Sequence, residues 1–225
     1  NNNLFYMVKN DNLYESLNKK LLKSKFFKKT TIRHKSFYGK LVNKNNYDLI
    51  INCDQNNYIS KKIFNKKIDK DYKNIAYTTI LEHEKLENES AIQVFTALGP
   101  IAFLPISKIK TSVVYSLNII EKKYLDGEII ELIKKYNPKF KIIKIKKLSS
   151  FKLKSSNLRN YYHKNILAFG DILHRIHPLA GQGFNMTIRD IKDLSEIIQS
   201  KIDLGLTLDA SILKEFEKKT KTNNF

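Results

Sequence analysis

Residues 166–190 hold the densest group of side chains that could carry chemistry. An apolar strand, Ile166–Phe169, ends at Gly170 and Asp171, and a glycine-containing loop then leads to a helix predicted to begin near Asn185. In α/β proteins, ligands bind beyond the carboxyl ends of the strands. The free N–H groups at a helix start favour an electron-rich group, and a carboxylate at a strand end can accept hydrogen bonds from vicinal hydroxyls. The segment therefore predicts a cofactor-binding site.

The same segment carries two histidines, which raises the question of a metal site. His174 and His177 are three positions apart and Asp171 is nearby. Pro178 interrupts any helix that could bring both imidazoles to one face, and no fourth ligand has suitable spacing. We therefore predict no metal and expect these histidines to form hydrogen bonds within the loop. A role in proton transfer stays open.

The pattern resembles the second flavin-binding motif of the FAD-dependent aromatic-ring hydroxylases, and most closely that of the ubiquinone-biosynthesis hydroxylases. The matching positions are Gly170, Asp171, His174, His177, Pro178, Gly181, Gln182, Gly183, Asn185 and Asp190. So many fixed positions in a short span are far more specific than a lone glycine motif.

The resemblance implies which residues bind the cofactor. The residues expected to bind FAD are Asp54, Asp171, Pro178, Gly181, Gln182, Gly183, Phe184 and Asn185. In the family, the Asp that corresponds to Asp171 accepts a ribityl hydroxyl, and the helix start stabilises the negative charge of the reduced ring. Arg189 and Asp190 are expected to orient the helix start, and no side chain is assigned as a catalytic acid or base.

Asp54 is the second candidate carboxylate. It follows the apolar run 47–53, which predicts a strand buried on both faces. The family has Asp-Gly here, and its Asp contributes to flavin and nicotinamide-nucleotide binding, whereas this chain has Gln55. A positive φ at Gln55 would cost about 1–2 kcal/mol. An Asp at a strand end is also a common turn former, but the presence of Asp171 favours a cofactor role.

Hydrophobic periodicity indicates the elements around these residues. We predict a packing helix over 11–27 and a strand over 36–42. Short β segments spaced about ten residues apart between 75 and 117 predict an antiparallel sheet. Within it, Gln93–Pro105 matches the substrate domain of the resembled family, although core packing is the simpler role for Phe95 and Phe103. The remaining predictions are helices at 125–136, 184–198 and 210–219 and a half-exposed strand at 139–148.

Together these patterns predict an α/β fold, namely an incomplete FAD/NAD(P)-binding Rossmann-like domain with an inserted antiparallel β-sheet substrate domain. The expected domains are 1–70 (FAD-binding), 71–155 (substrate) and 156–225 (FAD-binding, continued). No glycine-rich dinucleotide fingerprint occurs in the 225 residues. We therefore expect a fragment that alone binds FAD weakly and is inactive.

Composition narrows the choice of partners and compartment. The net charge is +19, but the lysines are spread along the chain without a nucleic-acid motif. We predict no nucleic acid, and attraction to anionic lipid headgroups is more plausible. The single cysteine, Cys53, fits a reducing compartment and is expected to be buried. No apolar run reaches the ~20 residues of a membrane span, so we expect a cytoplasmic protein, peripheral at the inner face of the membrane.

The resemblance implies a specific activity. The chain would belong to a monooxygenase that hydroxylates the aromatic ring of a polyprenylated phenol in ubiquinone biosynthesis, within a possible biosynthetic complex. NAD(P)H would reduce the flavin, and O₂ would give a flavin C4a-hydroperoxide. The alternatives are a related flavin reductase or halogenase and a non-catalytic member of the superfamily that acts as a binding or scaffold subunit.

Overall fold

The computed structural model describes residues 6–32, 34, 36–43, 47–118, 124–175 and 182–224. The chain divides into two compact units. The sheet unit comprises Asn1–Thr31 and Lys73–Lys152, and the motif unit comprises Ile32–Tyr72 and Leu153–Phe225.

The helices and strands are given in chain order. They are α1 (Asn10–Leu22), α2 (Ser36–Asn43), β1 (Ile50–Asn52), α3 (Tyr58–Lys62), β2 (Lys67–His83), β3 (Ile92–Thr96), β4 (Gly99–Ser107), β5 (Lys110–Asn118), α4 (Asp126–Lys135), β6 (Ile142–Ile145), β7 (Ser149–Leu158), β8 (Tyr162–His163), β9 (Ile166–Ala168), a 3-10 helix (Gly170–Ile172), β10 (His174–Arg175), α5 (Gln182–Asp203) and α6 (Ala210–Asn224).

The sheet unit is built on antiparallel strands in the order β3-β4-β5-β2, with β6 also paired to β2. The inward side chains of alternate strand positions, such as Phe103 and Tyr115, are fully buried. They share one core with Ile129 and Ile133 of α4. Period-two alternation on the strands and helical spacing in α4 produce this packing, and the prediction of an antiparallel sheet is confirmed.

The motif unit contains a small sheet in the order β1-β9-β8. β1 and β9 are parallel, with Ile50 opposite Ile166 and Asn52 opposite Ala168. All three residues of β9 are buried, and the following Phe169 stacks on Phe216 of α6 at 5.7 Å between ring centroids. The carboxyl ends of the two parallel strands therefore lie side by side.

Three expectations about the first part of the chain are wrong. Residues 36–42 lie in helix α2 rather than in a strand, and the spacing of Phe37 and Leu41 by four positions suits a helix. The strand after Tyr47 is limited to β1, where Ile51 is 47% exposed. Cys53 is exposed. Because Ile51 is exposed, this strand is not buried on both faces.

Helix α1 is present but does not pack as predicted. It ends at Leu22, and none of its residues is buried. Leu17 and Leu21, which define the apolar face, are about half exposed. Helical spacing therefore predicted the secondary structure of this segment correctly but did not predict its exposure to solvent.

Candidate functional site

The candidate site lies in the motif unit, where β1 and β9 end together. The amide of Phe169 donates to the carbonyl of Asn52 at 3.0 Å, which joins the two strand ends. Asp54 follows β1 and Asp171 follows β9, and both side chains are exposed. The chain thus presents two carboxylates beyond the ends of neighbouring parallel strands, where α/β proteins bind ligands.

Asp171 is held outward by its neighbours. Gly170 has a φ of +65°, which turns the chain sharply after β9, and the 3-10 helix that follows contacts α5. Ile172 and Leu173, which follow Asp171, are buried in the core. The backbone beside Asp171 is therefore anchored, while its carboxylate is exposed to solvent. Within the described residues Asp171 forms no hydrogen bond or ion pair. This arrangement leaves its oxygens available to hydroxyl donors.

Asp54 has a structural task as well. Its Oδ1 accepts a hydrogen bond from the amide of Asn56 at 2.8 Å, and its carbonyl accepts one from Ser60 Oγ at 2.6 Å. It is therefore a turn former, and one carboxylate oxygen is engaged. Gln55 is not among the described residues with a positive φ, so the strain considered for this position is absent.

A buried polar network fixes the turn that carries Asp54. Asn52 donates to Ser60 Oγ at 2.7 Å and accepts from Asn57 Nδ2 at 2.5 Å. Asn57 also caps α3 by accepting from the amide of Ser60 at 2.9 Å. An Asn three positions before Ser60 is a recognisable helix-cap signal in the sequence.

The start of α5 supplies the helix end of the predicted site. Gln182 is its first residue, Gly183 is half-buried, and the side chains of Phe184 and Asn185 are exposed. The N-terminal end of a 22-residue helix favours an electron-rich ligand through its helix dipole. His177, Pro178 and Gly181 lie outside the described residues, as does the side chain of Gln182.

His174 contacts a residue of α5. Its Nε2 lies 2.8 Å from Oδ2 of Asp190, and both side chains are buried. The sequence placed both residues in one motif but expected His174 to bond within the loop, and it missed their pairing. The available signal was the position of Asp190 four residues after Met186 and four before Leu194, which places a carboxylate on the buried stripe of α5.

A second buried group lies close to Asp190. Tyr161 is buried, and burial together with the carboxylates of Asp190 and Glu217 raises its pKa to about 12. The Glu217 carboxylate also accepts from the amide of Tyr161 at 3.0 Å and from Lys221 at 2.8 Å. These contacts join α6 to the chain just before β8.

In the sheet unit, the two phenylalanines of the matched segment differ. Phe103 is fully buried, as core packing predicts, whereas Phe95 is 81% exposed, which contradicts that prediction. Phe95 and Gln93 alternate with half-buried neighbours on β3.

Two further findings concern metal binding and membrane-spanning helices. Among the described residues, no group of three or more His, Cys, Asp or Glu side chains could hold a metal ion. Likewise, no helix in the described ranges is long and apolar enough to cross a membrane.

The arrangement fits a flavin, and comparisons with known proteins define its class. Residues 115–206 match the FAD binding domain family. The fold is also similar to that of the myxobacterial chondrochloren halogenase CndH, a FAD-dependent enzyme, with a TM-score of 0.61 and 14% identity over 77% of this chain and 44% of that one. The predicted α/β fold of the FAD-dependent hydroxylases is confirmed.

Sequence relatives make the assignment more specific. The chain is 28% identical over 170 residues to the mitochondrial ubiquinone biosynthesis monooxygenase COQ6 of Dictyostelium discoideum, covering 59% of this chain and 34% of that protein. It is 25% identical over 169 residues to the ubiquinone hydroxylase UbiL of Rhodospirillum rubrum, covering 68% of this chain and 37% of that protein. The chain is thus similar in sequence to these ubiquinone-biosynthesis enzymes and spans about a third of their length.

Proposed function

We propose that this chain is part of a FAD-dependent monooxygenase that hydroxylates the aromatic ring of a polyprenylated phenol in ubiquinone biosynthesis, with NAD(P)H and O₂ as co-substrates. The observation that carries the proposal is the exposed carboxylate of Asp171, unpartnered within the described residues, on a 3-10 helix that contacts α5. Both relatives act in ubiquinone biosynthesis or on ubiquinone by name.

In this proposal, the candidate residues bind different parts of FAD. Asp171 accepts hydrogen bonds from ribityl hydroxyls, and Asp54 offers a second acceptor beside it. Gln182, Gly183, Phe184 and Asn185 bring backbone N–H groups toward the electron-rich edge of the ring, with Pro178 and Gly181 preceding them. When bound, FAD carries electrons from NAD(P)H to O₂. The chain itself binds the cofactor and orients it.

The positive charge suggests where the enzyme works. A net charge of +19 favours association with an anionic membrane surface, from which a polyprenylated phenol would be taken. We propose peripheral contact with the inner face of the membrane and, with it, contact with other ubiquinone-biosynthesis proteins. Vesicles with and without phosphatidylserine would test the electrostatic part, because binding should fall as salt is raised.

An oxygen-isotope experiment tests the reaction class. The protein encoded by the complete reading frame is supplied with FAD, NADH or NADPH, a short-chain prenylated phenol and ¹⁸O₂. We expect one ¹⁸O atom in the ring product. Hydrogen peroxide without a ring product would indicate a reductase, and a halogenated ring in the presence of chloride would indicate a halogenase.

The non-catalytic alternative predicts a different result. A scaffold subunit would give neither a ring product nor a yellow protein after reconstitution with FAD. The 225-residue chain is expected to bind FAD only weakly in isolation, because its sequence lacks the glycine-rich cradle for the pyrophosphate. Submicromolar binding by this chain alone would contradict that expectation.

A further inference from the structure

Helix α5 carries a carboxylate where its other buried residues are apolar. Met186, Asp190, Leu194 and Ile197 are the buried residues of the helix among those whose side chains are described, and Asp190 is only 3% exposed. Burying a charged carboxylate without a partner costs several kcal/mol. An apolar side chain at this position would avoid that cost, so the presence of Asp190 requires a reason.

The partner of Asp190 is His174, which is 4% exposed. Nε2 of His174 and Oδ2 of Asp190 are 2.8 Å apart, which is a direct polar contact, although the ring N–H does not point along this line. Nδ1 of His174 has no hydrogen-bond partner within the described residues. The only polar side-chain contact described for His174 is therefore the one to Asp190.

The position of the pair links two elements that flank the candidate site. His174 belongs to β10, which is held by antiparallel pairing of His174 with Asn157 of β7. Asp190 lies beyond the first two turns of α5. Among the described side chains of those turns, Phe184 and Asn185 are exposed and Met186 is the first that is buried, so the described part has little other anchorage.

We infer that His174 and Asp190 form a positioning pair that fixes the start of α5 against β10 and so holds the helix N–H groups in place for the cofactor. This inference rests on the proposed function, because it assigns the pair a task at the proposed FAD site. Neither side chain needs to contact the cofactor. The pair acts through the helix start, which is the element that faces the ligand.

A double-mutant cycle separates positioning from ordinary core packing. The variants are H174A, D190A and the double variant, made in the protein from the complete reading frame. The control is L194A, one turn further along the same buried stripe. For each variant we would measure the free energy of unfolding, amide hydrogen exchange at residues 182–187 and the Kd for FAD.

The pair predicts a specific pattern. In the FAD-free protein, H174A and D190A should each speed exchange at residues 182–187 by at least about tenfold, and the double variant should be no faster than either. L194A should lower overall stability without this local effect. In the FAD titration, both single variants should raise the Kd by about tenfold, and the double variant should raise it no further.

Other outcomes overturn the inference. Exchange at residues 182–187 that changes no more than in L194A, or effects that simply add in the double variant, would show that the two residues only fill the core. If the wild-type protein binds no FAD, the proposed function fails. In that case the exchange data still decide whether the pair positions the helix start.

Discussion

Two glycines with positive φ occupy opposite kinds of environment in the two units. Gly170, with a φ of +65°, lies just after β9, and a Cβ built there would meet no atom of the described residues within 4 Å. Gly99, with a φ of +135°, begins β4, and its Cβ would lie 2.1 Å from the carbonyl oxygen of Ser116. The first glycine turns the chain in open space and leaves Asp171 accessible. The second allows two strands to approach closely, so its role is packing.

The largest effect is expected from substitution of these glycines. Gly99→Ala should destabilise the protein by about 3 kcal/mol or more, because the new methyl group would overlap a backbone carbonyl that cannot move away cheaply. Gly170→Ala should cost only about 1–2 kcal/mol, since it adds left-handed strain without a clash. Urea unfolding of both variants measures the difference. Equal losses would contradict the distinction between an open and a packed turn.

The buried tyrosines of the two units give a second comparison. Burial raises the pKa of both Tyr115 and Tyr161, but a hydrogen bond with Thr96 opposes the rise at Tyr115, whereas Asp190 and Glu217 add to it at Tyr161, to about 12. The folded state favours the neutral form of Tyr161. Its contribution to stability is therefore complete below pH ~10, the unperturbed pKa, and is lost as the pH rises toward 12.

The variant Tyr161→Phe tests this contribution. Urea unfolding at pH 9 and pH 11.5 should show a smaller loss of stability between the two pH values in Tyr161→Phe than in the wild type. Tyr115→Phe should reduce this pH-dependent loss of stability by less than Tyr161→Phe does. Because many lysines titrate in the same range, only the difference between wild type and variant is informative. Identical losses in all three proteins would contradict the assigned pKa.

The smallest effect is expected in the hairpin between β8 and β9. Lys164 is exposed and has a φ of +54°, a conformation that costs a non-glycine residue about 1 kcal/mol. Lys164→Gly should stabilise the protein by up to about 1 kcal/mol, measured by thermal or urea unfolding. Asn165→Gly is the comparison, since its φ is not positive and its side chain donates to the Tyr47 carbonyl at 2.7 Å, and it should lower stability. A loss of stability in Lys164→Gly would show that the lysine side chain contributes more than the strain costs.

The sequence predicted those parts of the fold that local patterns determine. The regular spacing of short β segments identified the antiparallel sheet of β3, β4 and β5, and helical spacing identified α4 and α5. The motif at Gly170 and Asp171 predicted the turn that exposes a carboxylate. In each case neighbouring residues along the chain contain the information.

The predictions that failed concern features set by contacts between residues that are distant in the sequence. Burial at Cys53 and Ile51 could not be predicted, because it depends on which elements pack against β1. The run 36–42 is too short for its hydrophobic pattern to distinguish the period of a helix from that of a strand. The pairing of His174 with Asp190 was missed because the motif gives their separation along the chain but not which side chains meet. Pro178 and Gly181 stay predictions, as do the roles of Asp54, Gln182, Gly183, Phe184 and Asn185 in binding FAD.

The affinity for FAD of an Asp171→Ala variant tests the central claim most directly. The control is Asp69→Ala, an exposed carboxylate on β2 of the same unit. In the protein from the complete reading frame, we expect Asp171→Ala to raise the Kd for FAD at least tenfold, through the loss of charge-assisted hydrogen bonds to ribityl hydroxyls worth about 1.5–3 kcal/mol, while Asp69→Ala leaves it unchanged. An unaltered Kd in Asp171→Ala would contradict the assignment of this turn as the FAD site.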